Sequence, residues 1–200
     1  FVQCDVGDTN SVVGAFNEIK AYTSVIDAVI NVAGVGTIGT IESATDEDWS
    51  KLFNINVAGI GRVTRAALPF LRNSNKAAVV NVGSIAATAG IPERAVYSAS
   101  KGAVNALTLA MAADHIHEGI RINCVNPGTA DTPWVERLLA QASDPIKEKA
   151  HLNARQPLGR LVTPEEVASA ILYLADSAQG STTGTILAVD GGMFGLRLRK

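Results

Sequence analysis

"AAVVNVGSIAATAGIPERAVYSASKGAV", residues 77–104, changes its period part-way along. Residues 77–84 form a short apolar run rich in valine and closed by Gly83 and Ser84, the pattern of a strand that ends in a turn. From Tyr97 onward the spacing is helical, and Lys101 falls one turn after Tyr97 on the same helix face. A strand that is apolar on both faces and runs into a long helix belongs in a parallel sheet covered on both sides.

The same alternation extends in both directions. "FVQCDV" (1–6), "DAVINVAG" (27–34), "IRINCVNPG" (120–128) and "TILAVDGG" (185–192) carry strand signals, each closed by Gly, Asn, Asp or Pro. Helical spacing covers 9–22, 46–72, 96–118, a broken stretch at 132–153, and 164–176. In the last of these, Thr163 is placed as N-cap, Pro164 at the first helical position, and Glu165 and Glu166 in the first turn. The prediction is an α/β fold, a doubly wound Rossmann-like parallel sheet. With no repeat, linker or low-complexity tract, residues 1–200 read as a single domain. In such sheets ligands bind beyond the carboxyl ends of the strands.

Composition removes several functions. A net charge of −2 with no block of like charges argues against nucleic acid or an anionic membrane as partner. The basic cluster "GLRLRK" reads as a short charged tail. No apolar stretch has the length of a transmembrane helix. Cys4 and Cys124 form neither a metal motif nor a disulfide framework, which fits a reducing, cytoplasmic setting. His115, His117 and His151 have no ligand spacing, so no metal is expected.

The chemistry gathers at strand ends. A tyrosine, with a pKa near 10, becomes a usable general acid/base when an ammonium lies beside it. Tyr97 and Lys101 offer that pair, and Ser84, thirteen residues before Tyr97, can hydrogen-bond a substrate oxygen that faces the phenol. Asn56 lies within the 46–72 helix, "NVAG" closes the 27–34 strand, and "NPGTADTP" (126–133) follows the 120–128 strand. Plain structural readings stand beside these: Tyr-x-x-x-Lys arises by chance on helix faces, Ser84 can bond its own backbone, Asp5 can be a turn former, and Asn56 a buried amide.

Taken together, "CDV", Asn-x-Ala-Gly, Asn56, Ser84 with "YSASK", "NPG" with Thr132, and "TGTILAVDGG" resemble the short-chain dehydrogenase/reductase family, from its third strand onward. The resemblance implies hydride transfer with NAD or NADP. NAD is slightly favoured by the subgroup discussed below. Tyr97 is then the acid/base and Ser84 positions the substrate oxygen. Lys101 lowers the tyrosine pKa, binds the nicotinamide ribose and, with Asn56, anchors a relay water. It also implies that Asp5 and Val6 border the adenine, that Asn31, Ala33 and Gly34 line the cofactor turn, and that Pro127, Gly128, Ala130 and Thr132 hold the nicotinamide end. The family's glycine-rich phosphate loop is absent, with its first two strand-helix units, about 50 to 60 residues. The chain is therefore read as an N-terminally incomplete piece or a natural short form, and is expected to bind the cofactor weakly by itself.

For the substrate, Arg94 stands three residues before Tyr97, and Arg155 ends the broken stretch that corresponds to the family's substrate lid (132–160). Guanidinium groups suit a carboxylate. "PGTADTP", "RQPLGR" and the arginine before "VYS" are similar to a hydroxy-acid and sugar-acid subgroup, such as 3-hydroxybutyrate or 2-keto-3-deoxy-L-fuconate dehydrogenases. The alternative roles are a solvated loop charge for Arg94 and a helix-end charge for Arg155. Arg160 reads as structural, and Trp134 as packing the lid or covering the nicotinamide. Rival functions are a 3-oxoacyl-carrier-protein reductase and a non-catalytic subunit of the same fold. The resemblance further implies a homodimer or homotetramer.

Overall fold

Four parallel strands, β1 (Ala28–Asn31), β2 (Ala78–Val82), β3 (Arg121–Pro127) and β4 (Ile186–Val189), lie in that order across one sheet. The computed structural model describes residues 1–140 and 142–199, without the side chain of Leu138. Asn31, Asn81 and Cys124 are level with one another in the register; β1 and β2 end within a residue of that level, and β3 runs on to Pro127.

Alternation along the strands divides the core. Val29, Val79, Ile122 and Cys124 face helices α3 (Gly59–Leu71) and α4 (Ala95–His115), where they meet Ile60, Ala67, Val104 and Met111. Val80 and Val125 face the other way, onto Leu174 of α7 (Pro164–Ala175). Helix α1 (Thr9–Ile19) packs on α3 through Phe16 and Phe70, 5.8 Å between ring centroids. Both faces of the sheet are thus covered, as the apolar strands require.

Polar atoms buried within these layers are paired. Asn31 Nδ2 donates to Asn81 Oδ1 at 2.8 Å, and Asn81 Nδ2 donates to Thr108 Oγ1 at 2.9 Å. Thr108 in turn donates to the Val104 carbonyl within α4. The chain of bonds joins β1, β2 and α4 through a region closed to water. Arg121, also buried, donates to the carbonyls of Leu174, Ala175 and Asp176, using its charge to close the C-terminal end of α7.

Several sequence expectations need correction. Residues 1–6 are not a strand: among the described residues no strand pairs with them, and composition cannot supply a ladder partner. The 46–72 helix is three pieces, α2 (Asp46–Phe53), a π turn (Asn54–Ala58) and α3. Its break coincides with two amides, Asn54 and Asn56, that take partners outside the helix. The 132–153 stretch resolves into α5 (Pro133–Ala140) and α6 (Pro145–Arg155), with Asp144 capping α6; Gln141 between them lies outside the described residues.

At α7 the expected start is observed, with Thr163 and Glu166 forming a capping box. Arg160 grips Glu166 at 2.6 and 3.0 Å and, with the Thr163 backbone, holds its carboxyl at about 2. Among the described residues no helix is long and apolar enough to cross a membrane, and no group of His, Cys, Asp or Glu could hold a metal ion.

Asn81→Ala deprives the buried Asn31 amide of its short acceptor and the Thr108 hydroxyl oxygen of its donor, leaving Asn31 with Thr64 at 3.5 Å and Thr108 with the Val104 carbonyl. It should lower unfolding stability by about 2–3 kcal/mol, measured as a reduced urea midpoint with unchanged slope.

Candidate active site

Three side chains meet where β2 gives way to α4. Ser84 follows β2 and is buried, its backbone N–H donating to Asn126 Oδ1 at 3.1 Å. Its hydroxyl oxygen accepts from the Ala86 N–H at 3.1 Å, which leaves the hydroxyl proton to be donated. Gly83 has no room for a side chain, because Asn126 Oδ1 occupies the position a Cβ would take. Tyr97 lies in the first turn of α4. One turn on, Lys101 is 6% exposed and donates from Nζ to the Val82 carbonyl at 2.8 Å. Nζ is 5.9 Å from the centre of the Tyr97 ring.

Electrostatics here differ from the sequence expectation in one respect. Burial raises the Tyr97 pKa; the groups that oppose it are the Ser84 hydroxyl, first, and then the Arg94 charge. Lys101, expected to do this work, is directed at the Val82 carbonyl, and its own pKa is lowered by burial to about 8. Cys124, beneath the pair, is buried, and its thiol is pushed up to about 11 by that burial, so it stays protonated at neutral pH.

Asn56, in the π turn, is 1% exposed. Its amide both accepts from the Val35 N–H (2.8 Å) and donates to the Val35 carbonyl (2.9 Å), and it also donates to Ser100 Oγ at 3.1 Å. It therefore ties the loop after β1 to α4, one residue from Lys101. Next to it Gly34 is exposed: a Cβ there would lie 3.2 Å from Asn56 Oδ1 and 3.6 Å from Lys101 Nζ.

Other expected site residues fall in three groups. Ala33 is exposed on the same loop as Gly34, whereas the Asn31 side chain turns inward and is engaged with Asn81. Val6, Asn31 and Ala33 share the lining of an apolar pocket of about 210 Å³ between the N-terminal segment, α1, β1 and α3. Asp5 is exposed and accepts from the Gly7 N–H at 2.8 Å, a turn-forming contact. Pro127, Gly128, Ala130 and Thr132, all half-buried, lead from β3 to α5; this loop is fastened by Val162 N–H to Thr129 O and Asp131 N–H to Val162 O.

Arg94, half-buried at the N-cap position of α4, donates to the Thr37 carbonyl at 2.8 Å and lies 5.8 Å from the Trp134 ring centre. Arg155 is exposed in the last turn of α6. The two arginines are close enough to repel: the Arg94 pKa is lowered by burial foremost and by Arg155 as well, against the opposing pull of Tyr97 and Glu93.

Sequence reasoning missed Asn126 and Ser100 as the supports of Ser84 and Asn56. It also missed Arg62, which binds the Val6 carbonyl, Asn54 and Thr9 and fixes the 5–9 segment against the π turn. Asn126 was visible as the first residue of "NPG", and Ser100 as the neighbour of Lys101. Arg62 gave no local signal.

Comparison with known proteins finds relatives along nearly the whole chain. The family described as enoyl-(acyl carrier protein) reductase matches residues 1–194. The chain is 38% identical over 193 residues to "Inactive 2-(S)-hydroxypropyl-CoM dehydrogenase 2" of Xanthobacter autotrophicus, covering 96% of this chain and 84% of that protein. It is 36% identical over 192 residues to the cyclopentanol dehydrogenase of Comamonas testosteroni, covering 96% and 75%. Among solved structures, ligand-free aldohexose dehydrogenase of Thermoplasma acidophilum superposes with a TM-score of 0.91 at 30% identity, over 100% of this chain and 81% of that one. ElxO with NADP bound gives 0.87 at 29%, over 96% and 76%. A strand-end Ser-Tyr-Lys group on a parallel sheet, with these relatives, places the chain in the short-chain dehydrogenase/reductase family.

Because the folded protein disfavours the Lys101 ammonium, the unfolded chain binds the extra proton between about pH 8 and the ordinary lysine pKa of 10.5. The stability penalty is complete below pH 8 and is relieved as pH rises through that window. Lys101→Met should therefore gain most relative to wild type near pH 7, with the difference shrinking toward pH 10.5 in denaturant titrations.

Proposed function

We propose that this protein is an NAD(P)-dependent oxidoreductase that interconverts a secondary alcohol and a ketone, acting on a small hydroxy or sugar acid in a reducing, cytoplasmic setting. The observation that carries the reading is the buried Ser84 hydroxyl set against the half-buried Tyr97 phenol, with the buried Lys101 one turn below.

The residues fit a nicotinamide cofactor. Lys101 Nζ has one hydrogen bond among the described residues, to Val82, and so keeps N–H groups for ribose hydroxyls. Gly34 leaves the approach to it open. Ala33 and Gly34 on one side, and Pro127, Gly128, Ala130 and Thr132 on the other, would hold the nicotinamide end; Asp5 and Val6 would border the adenine. When bound, NAD or NADP supplies or takes up the hydride at the substrate carbon. Ser84 donates to the substrate oxygen and orients it toward Tyr97. In oxidation Tyr97, as phenolate, takes the alcohol proton; in reduction the phenol returns it. The Ser84 hydroxyl and then the Arg94 charge favour the phenolate against burial, and Lys101, 5.9 Å from the ring centre, would add its charge to that pull. Since the Asn56 amide is bonded to Val35 and Ser100, its part in a proton relay runs through the backbone of the π turn.

Arg94 and Arg155 support the acid substrate. They are like charges on adjoining elements, and a carboxylate between them would relieve their repulsion. One rival, reduction of the 3-oxo group of an acyl chain held on an acyl carrier protein, shares its carrier with the family's description. Such a thioester has no free carboxylate for the arginines. A second rival, a non-catalytic protein of the same fold, is raised by the relative named as inactive. The reading also includes a homodimer or homotetramer, which would cover the exposed Leu109 on α4 and Leu172 and Tyr173 on α7.

Tyr97→Phe should lower kcat of the holoenzyme by about 10²–10⁴ while leaving the KM for cofactor nearly unchanged. Wild-type turnover in that variant contradicts the mechanism, and the absence of turnover in the wild type supports the non-catalytic rival. Arg94→Ala and Arg155→Ala should each raise KM for a hydroxy acid far more than for a neutral cyclic alcohol. Equal effects on both substrates remove the carboxylate.

A further inference from the structure

We propose that Trp134, working against Gly36, sets the size of the substrate that reaches Tyr97. The proposal rests on Tyr97 being the reacting group, as above.

Trp134 is the second residue of α5 and 46% exposed. Its ring centre lies 5.8 Å from the Arg94 guanidinium carbon, and Arg94 is in turn pinned to the loop after β1 by its bond to the Thr37 carbonyl. That loop carries Gly36. A Cβ built on Gly36 would lie 3.6 Å from Trp134 Cζ2 and 3.8 Å from Tyr97 Cδ2 and Cε2. The two aromatic rings therefore converge on one point of the loop, separated there by glycine backbone and a gap the size of a methyl group.

Gly36 is not among the positive-φ glycines, so its backbone conformation is open to any residue. What the missing side chain provides is room beside the phenol. The indole closes that room from the side of α5, and Arg94 holds the indole in place by cation–π attraction. A substrate whose oxygen meets Ser84 and Tyr97 and whose carboxylate meets Arg94 passes along this wall. Short chains fit beneath the ring; longer or branched ones meet it.

The two residues act in opposite senses, which gives a reciprocal test. In the holoenzyme, kcat/KM is measured for a four-carbon and an eight-carbon 3-hydroxy acid. Trp134→Ala should raise the eight-carbon to four-carbon ratio about tenfold or more, and Gly36→Ala, whose methyl fits at ordinary contact distance, should lower it. Ratios within about twofold of wild type in both variants overturn the proposal.

A second measurement needs no turnover. The chain has two tryptophans, and Trp49 packs on Phe53 in α2. In a Trp49→Phe background, a four-carbon keto acid added to the cofactor-loaded protein should change the emission of Trp134. Unchanged emission at saturating keto acid also overturns the proposal. If the wild type turns over neither acid, the hydroxy-acid reading fails, and the emission titration alone decides whether Trp134 lines a ligand site.

Discussion

Parallel pairing in register is the constraint on which the site depends. Asn31, Asn81 and Cys124 are level in β1, β2 and β3, so the chain leaves these strands at one edge of the sheet. Residues far apart in sequence then become neighbours: the Ser84 N–H reaches Asn126, and Asn56 joins the Val35 loop to Ser100. The Asn31–Asn81–Thr108 bonds hold this level arrangement from within the core. An antiparallel sheet of the same composition would send alternate strand ends to opposite edges and scatter the group.

Burial then determines the chemistry of what has been gathered. A lysine that is 6% exposed, with a carbonyl rather than a carboxylate as its partner, loses proton affinity, while the phenol beside it gains it. The two shifts drive the groups apart in pKa, so the phenol keeps its proton at neutral pH while the ammonium beside it holds its own less tightly than an ordinary lysine does. Arg94 enters the same electrostatic balance, while also facing Arg155 and Trp134. One side chain thereby links the acid/base group to the elements that would enclose a substrate.

What could be read from the sequence follows from the range of each signal. The strands from 27 onward, the helix carrying Tyr97 and Lys101, and the Thr163 cap are set by neighbours a few residues away, and periodicity displays them. The π turn was hidden because Asn54–Ala58 preserves an apparently continuous helical period, and its cause is a set of bonds to residues in other elements. "FVQCDV" has strand composition, but a strand needs a partner, which no local pattern can supply. The sequence marks Trp134 only as lid packing or a cover for the nicotinamide; its convergence with Gly36 and Tyr97 depends on three strand-end loops meeting, a relation invisible at any fixed spacing.

The most direct test of the central claim, that Tyr97 moves the proton under the influence of Lys101, is the pH dependence of kcat/KM for alcohol oxidation by the holoenzyme. The profile should rise with pH through an ionisation belonging to the Tyr97–Lys101 pair, and in Lys101→Met the rising limb should move to higher pH as the phenolate loses its ammonium. A flat profile in the wild type, or a rising limb that stays in place in Lys101→Met, would contradict it.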